Sequence, residues 1–218
     1  MRKAGIILAA GSSQRMGEPK VNLPLIDGIT MGAVVLQRAI ASELDFIVVV
    51  VRPDDPLTWV STAEKQKVYM SVCHEARGGM SYSLREGISS VKEKGADCAM
   101  ILLADQPLIQ QAHINQLIAC FKSSPDLDYV AAKDHDELKP PILFSRTMFN
   151  FLMQLKGDEG ARKLLRSSSF QGIGISFESD MFLDADTKEE LAVIKQKLSQ
   201  ESKLVHSHSD DLYQDQDT

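Results

Sequence analysis

Leu8-Ala9-Ala10-Gly11-Ser12-Ser13-Gln14-Arg15-Met16-Gly17-Glu18-Pro19-Lys20, entered from the apolar run Ala4 to Ala10, decides how the chain is read. The run reads as a buried strand, and the loop after it is made of small residues and carries two cations. Small side chains at Ala10, Gly11 and Ser12 let phosphate oxygens approach the backbone N–H groups. Arg15 and Lys20 add positive charge, and a helix starting near Ser12 would aim its first amides at the same anion. Two common phosphate loops are excluded by spacing. The next glycine after Gly11 is Gly17, and Lys20 lies beyond it, so neither G-x-x-x-x-G-K-S/T nor G-x-G-x-x-G is present.

Outward from that loop, strand and helix patterns alternate. Helical spacing predicts a helix over Met31 to Ser42, followed by the β-branched run Phe46 to Val51. A short helix over Leu57 to Lys65, a strand over Val68 to Cys73, a helix over Tyr82 to Lys94 and a strand over Cys98 to Leu103 come next. Apolar runs without polar alternation are those of strands covered on both faces. The alternation predicts an α/β fold: a single-domain, doubly wound, mostly parallel Rossmann-like sheet, with ligands beyond the carboxyl ends of its strands. Further on, the pattern predicts a helix over Ala112 to Phe121, a strand over Tyr129 to Ala132 and an extended segment from Lys139 to Phe144. A helix over Met148 to Leu155, a strand over Gly172 to Phe177 and a last helix ending at Leu198 complete it.

Length and composition restrict the partners. The 218 residues suit one domain, taken as 1–198, followed by an acidic tail, 199–218, too poor in apolar residues to order itself. Most of the net charge of −6 lies in that tail. The near-neutral body has no electrostatic footprint for nucleic acid, and no run approaches membrane-spanning length, so a cytoplasmic protein is expected. Cys73, Cys98 and Cys120 form no C-x-x-C pair and read as small core residues.

Three further stretches carry chemistry. Asp105 follows an apolar strand directly, with Pro107 fixing the turn, and a carboxylate at such a rim suits Mg2+; a helix cap there is compatible with that role. Gly78-Gly79-Met80-Ser81-Tyr82-Ser83-Leu84 offers backbone access and short hydroxyls, or a plain helix start. In Lys156-Gly157-Asp158-Glu159-Gly160-Ala161-Arg162, Gly157 ends one helix, Asp158 caps the next and Arg162 projects one turn in; a structural corner is the alternative. Asp134-His135-Asp136-Glu137 reads as a solvated loop rather than a metal cluster.

These strings, with Phe182-Leu183-Asp184-Ala185-Asp186-Thr187-Lys188 near the end, resemble the MobA-like nucleotidyltransferases over Lys3 to about Leu198. The likeness is to the branch that attaches CMP to molybdopterin, the molybdenum cofactor cytidylyltransferases. The resemblance implies that Ala10, Gly11, Ser12, Gly79, Ser81 and Ser83 hold the nucleotide and that Arg15 and Lys20 act on its phosphates. It also implies that Asp105 and Asp186 hold Mg2+ and that Asp158 and Arg162 face the acceptor, with Arg162 on its phosphate. Ala10, where GTP-using relatives carry glycine, points to CTP. The implied reaction transfers CMP from CTP to the phosphate of molybdopterin with release of pyrophosphate, serving a xanthine dehydrogenase-type apoenzyme. Lys139 and Pro140 depart from the family's usual Gly-His before the proline, which leaves the acceptor open. The alternatives are a sugar- or polyol-phosphate nucleotidyltransferase and a non-catalytic molybdenum cofactor carrier; the retained cations and carboxylates speak against the carrier.

Overall fold

Uninterrupted apolar runs form the inner strands of this chain. The computed structural model describes residues 1–11, 19–60 and 67–214, with side chains described as far as residue 202. Strands β1 (Lys3–Leu8), β2 (Phe46–Val51), β3 (Val68–Val72) and β4 (Cys98–Leu103) run parallel, and every residue of β2 is buried. With β5 (Tyr129–Asp134), β6 (Glu137–Ser145) and β7 (Gly172–Ser176) they form a seven-stranded sheet in the order β3-β2-β1-β4-β6-β5-β7. Among the described strands β6 alone runs against its neighbours. The chain steps from β1 out to β3 and returns to β4 on the other side of β1. That reversal leaves a crevice at the carboxyl ends of β1 and β4.

Successive β1 side chains serve opposite faces. Ile7 packs with Val35 and Leu36 of α1 (Met31–Ala41) and Leu117 of α3 (Gln111–Ser123). Ile6 joins Leu84 and Ile88 of α2 (Met80–Glu93) and Phe149 of α4 (Phe149–Leu152). A Cβ on Gly87 would lie 2.5 Å from Ile6 Cγ2, so this glycine lets α2 lie directly on β1. A third apolar cluster gathers Leu23, Leu25, Met31 and Leu108 against Ala185, Ile194 and Leu198, the last two from α6 (Lys188–Gln214). Thr187 and Glu190 form a reciprocal cap at the start of α6: the Glu190 amide donates to Thr187 Oγ1 at 3.2 Å, and the Thr187 amide donates to Glu190 Oε2 at 2.8 Å.

Several boundaries differ from the sequence expectations. Leu57 to Val60 is a turn rather than the start of a helix, because Asp55 Oδ1 accepts from the Leu57 amide at 2.8 Å and from Trp59 Nε1 at 3.2 Å; residues 61–65 of that predicted helix lie outside the described residues. The helix expected over Met148 to Leu155 shortens to a 3-10 turn, Arg146–Met148, and α4, with Leu155 buried just before Gly157 at φ 56°. Asp158 caps no helix: α5 (Arg162–Leu165) begins after Ala161 without a side-chain cap. The tail expected from Ser199 instead begins as the continuation of α6, since Ile194 and Leu198 anchor the helix and Glu201 is hydrogen-bonded to Arg38 and Gln110.

Candidate active site

Three charged side chains meet at the crevice. Lys20 enters on a 3-10 turn (Lys20–Asn22) held by the buried Val21 and Leu23 and by the Leu23 amide donating to the Lys20 carbonyl at 3.0 Å. Asp105 leaves the end of β4, and Asp186 precedes α6. The Lys20 ammonium donates to Asp105 Oδ2 at 3.3 Å and, more closely, to Asp186 Oδ1. Burial opposes its charge, but the Asp186 hydrogen bond and the two carboxylates outweigh that and hold the Lys20 pKa above its ordinary value. Asp184 stands beside them. Burial pushes its carboxyl pKa up, the charges of Asp105 and Asp186 push it further, and Lys20 counteracts.

Two clefts lie here: Lys20 and Asp105 line the first and Asp184 lines the second. The first, about 340 Å³, is lined by Ala10, Gly11, Lys20, Gly79, Ser83 and Asp105, with Arg77 at its edge. The second, about 630 Å³, is lined by the cations Lys139, Arg162, Lys163 and Arg166, together with Asp184 and Gln106. Leu8, Met80, Leu103 and Asp158 belong to both, so the clefts share a wall. Such a pair can hold an anionic ligand on each side of the shared wall, with the lysine–carboxylate cluster at the first.

The expected site residues are placed unevenly. Lys20, Asp105 and Asp186 come together, and Ala10, Gly11, Gly79 and Ser83 line the first cleft. Ser12 and Arg15 lie outside the described residues. Ser81 is fully buried, its amide donates to the Gly157 carbonyl at 3.0 Å, and it does not line the cleft, so helix packing turns it away from the place expected for it. Gly79 has φ 116°, and a Cβ there would lie 2.4 Å from the Gly157 carbonyl. The positive φ and the approach of the Gly157 backbone and the Asp158 side chain both require glycine here. Asp158 sits at the shared wall, and Arg162 lines the second cleft with Nη1 3.8 Å from Glu137 Oε2.

Sequence reasoning passed over Arg77, Asp184 and Gln106. Gln106 is 6% exposed, lines the second cleft, and has an Oε1 without a hydrogen-bond partner. Arg77, just before the glycine pair, and Asp184, in the same string as Asp186, carried a signal in their spacing; Gln106 carried none. Lys139 and Pro140, the departures noted in the sequence, both line the second cleft. Asp134 is held well below the usual carboxylate range by hydrogen bonds from Lys139, Ser179 and His135. Its cluster thus works as a hairpin tie.

The family described as MobA-like NTP transferase domain matches residues 5–172. The chain is 36% identical over 204 residues to purine catabolism protein PucB of Bacillus subtilis, covering 89% of this chain and 97% of that protein. It is 31% identical over 119 residues to a probable molybdenum cofactor guanylyltransferase of Mycobacterium avium, covering 54% of this chain and 57% of that one. The crystal structure of Rv0371c from Mycobacterium tuberculosis superimposes with a TM-score of 0.74 at 26% identity, covering 90% of this chain and 99% of that one. The same protein in complex with manganese gives 0.72 at 24%, with the same coverage. By family match and fold, the chain belongs to the MobA-like NTP transferase family and is a nucleotidyltransferase.

Proposed function

We propose that the chain transfers CMP from CTP to the terminal phosphate of molybdopterin, releasing pyrophosphate, and that the product serves a xanthine dehydrogenase-type enzyme. The observation that carries this reading is the pair of clefts sharing one wall, with Lys20 and Asp105, which meet Asp186, lining the first and Asp184 lining the second. The first cleft takes the triphosphate on the backbone of Ala10 and Gly11. The second offers Lys139, Arg162 and Arg166 to an anionic acceptor. The acceptor phosphate oxygen attacks the α-phosphorus in line as the bond to the β-phosphate breaks, and pyrophosphate carries away the electron pair. The acceptor is already ionised, so the protein's part is positioning and charge neutralisation. Lys20, whose charge is secured by its raised pKa, and Arg15 offset the charge on the leaving pyrophosphate.

The donor set fits Mg2+. Asp105 and Asp186 present hard carboxylate oxygens already gathered on one cation, the Lys20 ammonium. Among the described residues no three His, Cys, Asp or Glu side chains gather to hold a metal, so a bound ion would draw its remaining ligands from phosphate and water. Mg2+ held there would supply charge neutralisation at the α-phosphate. The manganese complex of Rv0371c supports a divalent ion.

The molybdenum cofactor relative supports the acceptor, and the purine catabolism relative supports a recipient that oxidises a purine. Guanylyl transfer is the second reading, favoured by the name of the Mycobacterium avium protein. Pyrophosphate release from purified protein with Mg2+ and molybdenum cofactor, comparing CTP, GTP and ATP, tests both. Release with CTP alone is expected. Release with GTP alone establishes the second reading, and cofactor binding without release under any triphosphate overturns both.

A further inference from the structure

We propose that Arg38, on α1, is a positioning residue for Asp105, and that Glu201, on α6, holds Arg38 in place. The inference rests on the reading that Asp105 serves nucleotidyl transfer. Asp105 stands on a turn whose own backbone ties are long: the Gln106 amide donates to the Leu103 carbonyl at 3.3 Å and the Ile109 amide to the Gln106 carbonyl at 3.4 Å. Pro107 has no N–H to add. Arg38 supplies what the turn lacks. Its Nη1 donates to the Pro107 carbonyl at 2.6 Å and to the Ile109 carbonyl at 3.3 Å, while Nη2 donates to Glu201 Oε2 at 2.7 Å. The other oxygen of Glu201 accepts from Gln110 Nε2 at 2.8 Å, and the Gln110 amide in turn donates to His113 Nδ1 at 3.1 Å in the capping box of α3.

The chain of contacts therefore joins α6 to the Pro107–Gln110 side of the turn that carries Asp105. α6 begins two residues after Asp186, and almost four turns on its Glu201 holds Arg38. One helix thus sets the position of both carboxylates that meet Lys20, one through sequence adjacency and the other through the guanidinium. Arg38 and Glu201 are 19% and 33% exposed, so the pair is only partly screened. Lysine cannot replace the arginine here. Its point charge can satisfy Glu201 or a carbonyl, whereas the planar fork holds two carbonyls and a carboxylate at once.

The test compares wild type with Arg38→Lys, Arg38→Ala and Glu201→Gln in the full chain, using the triphosphate that wild type turns over best. Misplacement of a catalytic group by about 1 Å costs about 100-fold. Arg38→Lys and Arg38→Ala should lose about 10- to 100-fold in kcat, with KM for the triphosphate within about twofold of wild type. Mn2+ bound by the nucleotide-loaded protein should weaken in parallel, and added guanidinium should restore part of the Arg38→Ala turnover. Glu201→Gln should show the same pattern with a smaller loss, and it carries the test if an Arg38 variant fails to fold. Unchanged kcat in folded Arg38→Lys overturns the proposal. So does a loss that follows melting temperature alone, with Mn2+ affinity unchanged and no guanidinium rescue. Wild-type release with GTP instead of CTP would change the nucleotide of the proposed function, while the variant comparison would still decide Arg38.

Discussion

Lys20→Met keeps the aliphatic stem and deletes the ammonium, so it separates what the lysine does for the fold from what it does for chemistry. Among the described residues the free protein loses two ion pairs, one at 3.3 Å to Asp105 and a closer one to Asp186. At an effective dielectric of about 20, charges about 4 Å apart attract by about 4 kcal/mol before desolvation. Asp186 is 39% exposed and burial of Lys20 opposes its charge, so the net loss should fall to about 1–2 kcal/mol. For a chain of this size that lowers Tm by about 2–8 °C. With the ammonium gone Asp105, Asp184 and Asp186 repel one another more strongly, and Mg2+ should recover more Tm in the variant than in wild type. Turnover should fall much further, about 10²–10³-fold, the usual cost of removing one preorganised charge partner of the transition state. Differential scanning fluorimetry over a Mg2+ titration and a pyrophosphate release assay read the two effects separately. Turnover within about threefold of wild type, or a Mg2+ response no larger than that of wild type, would refute the assignment.

Gly79→Ala would place a methyl 2.4 Å from the Gly157 carbonyl at φ 116°, which should cost about 1–3 kcal/mol in urea unfolding and displace Asp158 from the shared wall. Asp105→Asn should shift the Mg2+ titration of pyrophosphate release to higher concentration at unchanged fold by circular dichroism, whereas an unaltered titration removes Asp105 from the metal. Asp45 accepts from the Lys3 amide at 2.6 Å and from its ammonium at 2.8 Å; burial opposes the charge, yet these bonds hold the Asp45 pKa below its ordinary value. Its contribution is therefore present above the ordinary carboxylate pKa and lost as pH falls through the lowered one. Asp45→Asn should cost about 1 kcal/mol near neutrality, discounted for exposure of the carboxylate, and the difference from wild type should close on acidification.

The inner sheet was legible because burial on both faces leaves its strands without polar positions: Phe46–Val51 and Cys98–Leu103 have the bounds their apolar runs predict. Local competition was harder to read. Asp55 takes the amide of Leu57 and makes a turn of Leu57 to Val60, where a helix is expected to start, an effect of one side chain that periodicity does not register. Ser81 illustrates a different limit. Its string places it at the start of α2, but which side of the helix meets Gly157 depends on how closely α2 lies on β1, and that is decided by Gly87 against Ile6.

The extent of α6 escaped composition for a related reason. Residues after Leu198 bury little by themselves, but they inherit a helix already nucleated by the Thr187–Glu190 cap and held by Ile194 and Leu198, so continuing it costs far less than starting it. The same packing explains how the site is assembled. Lys20, Asp105 and Asp186 come from three distant parts of the chain, yet each lies within three residues of a member of the third apolar cluster: Leu23, Leu108 and Ala185. That cluster, rather than any one motif, fixes the distances between the charges. It has no signature in a single string, because its members are scattered apolar residues whose only shared property is the place where the fold brings them. A substitution such as Ile194→Ala, remote from every ligand, should therefore disturb Lys20, Asp105 and Asp186 together.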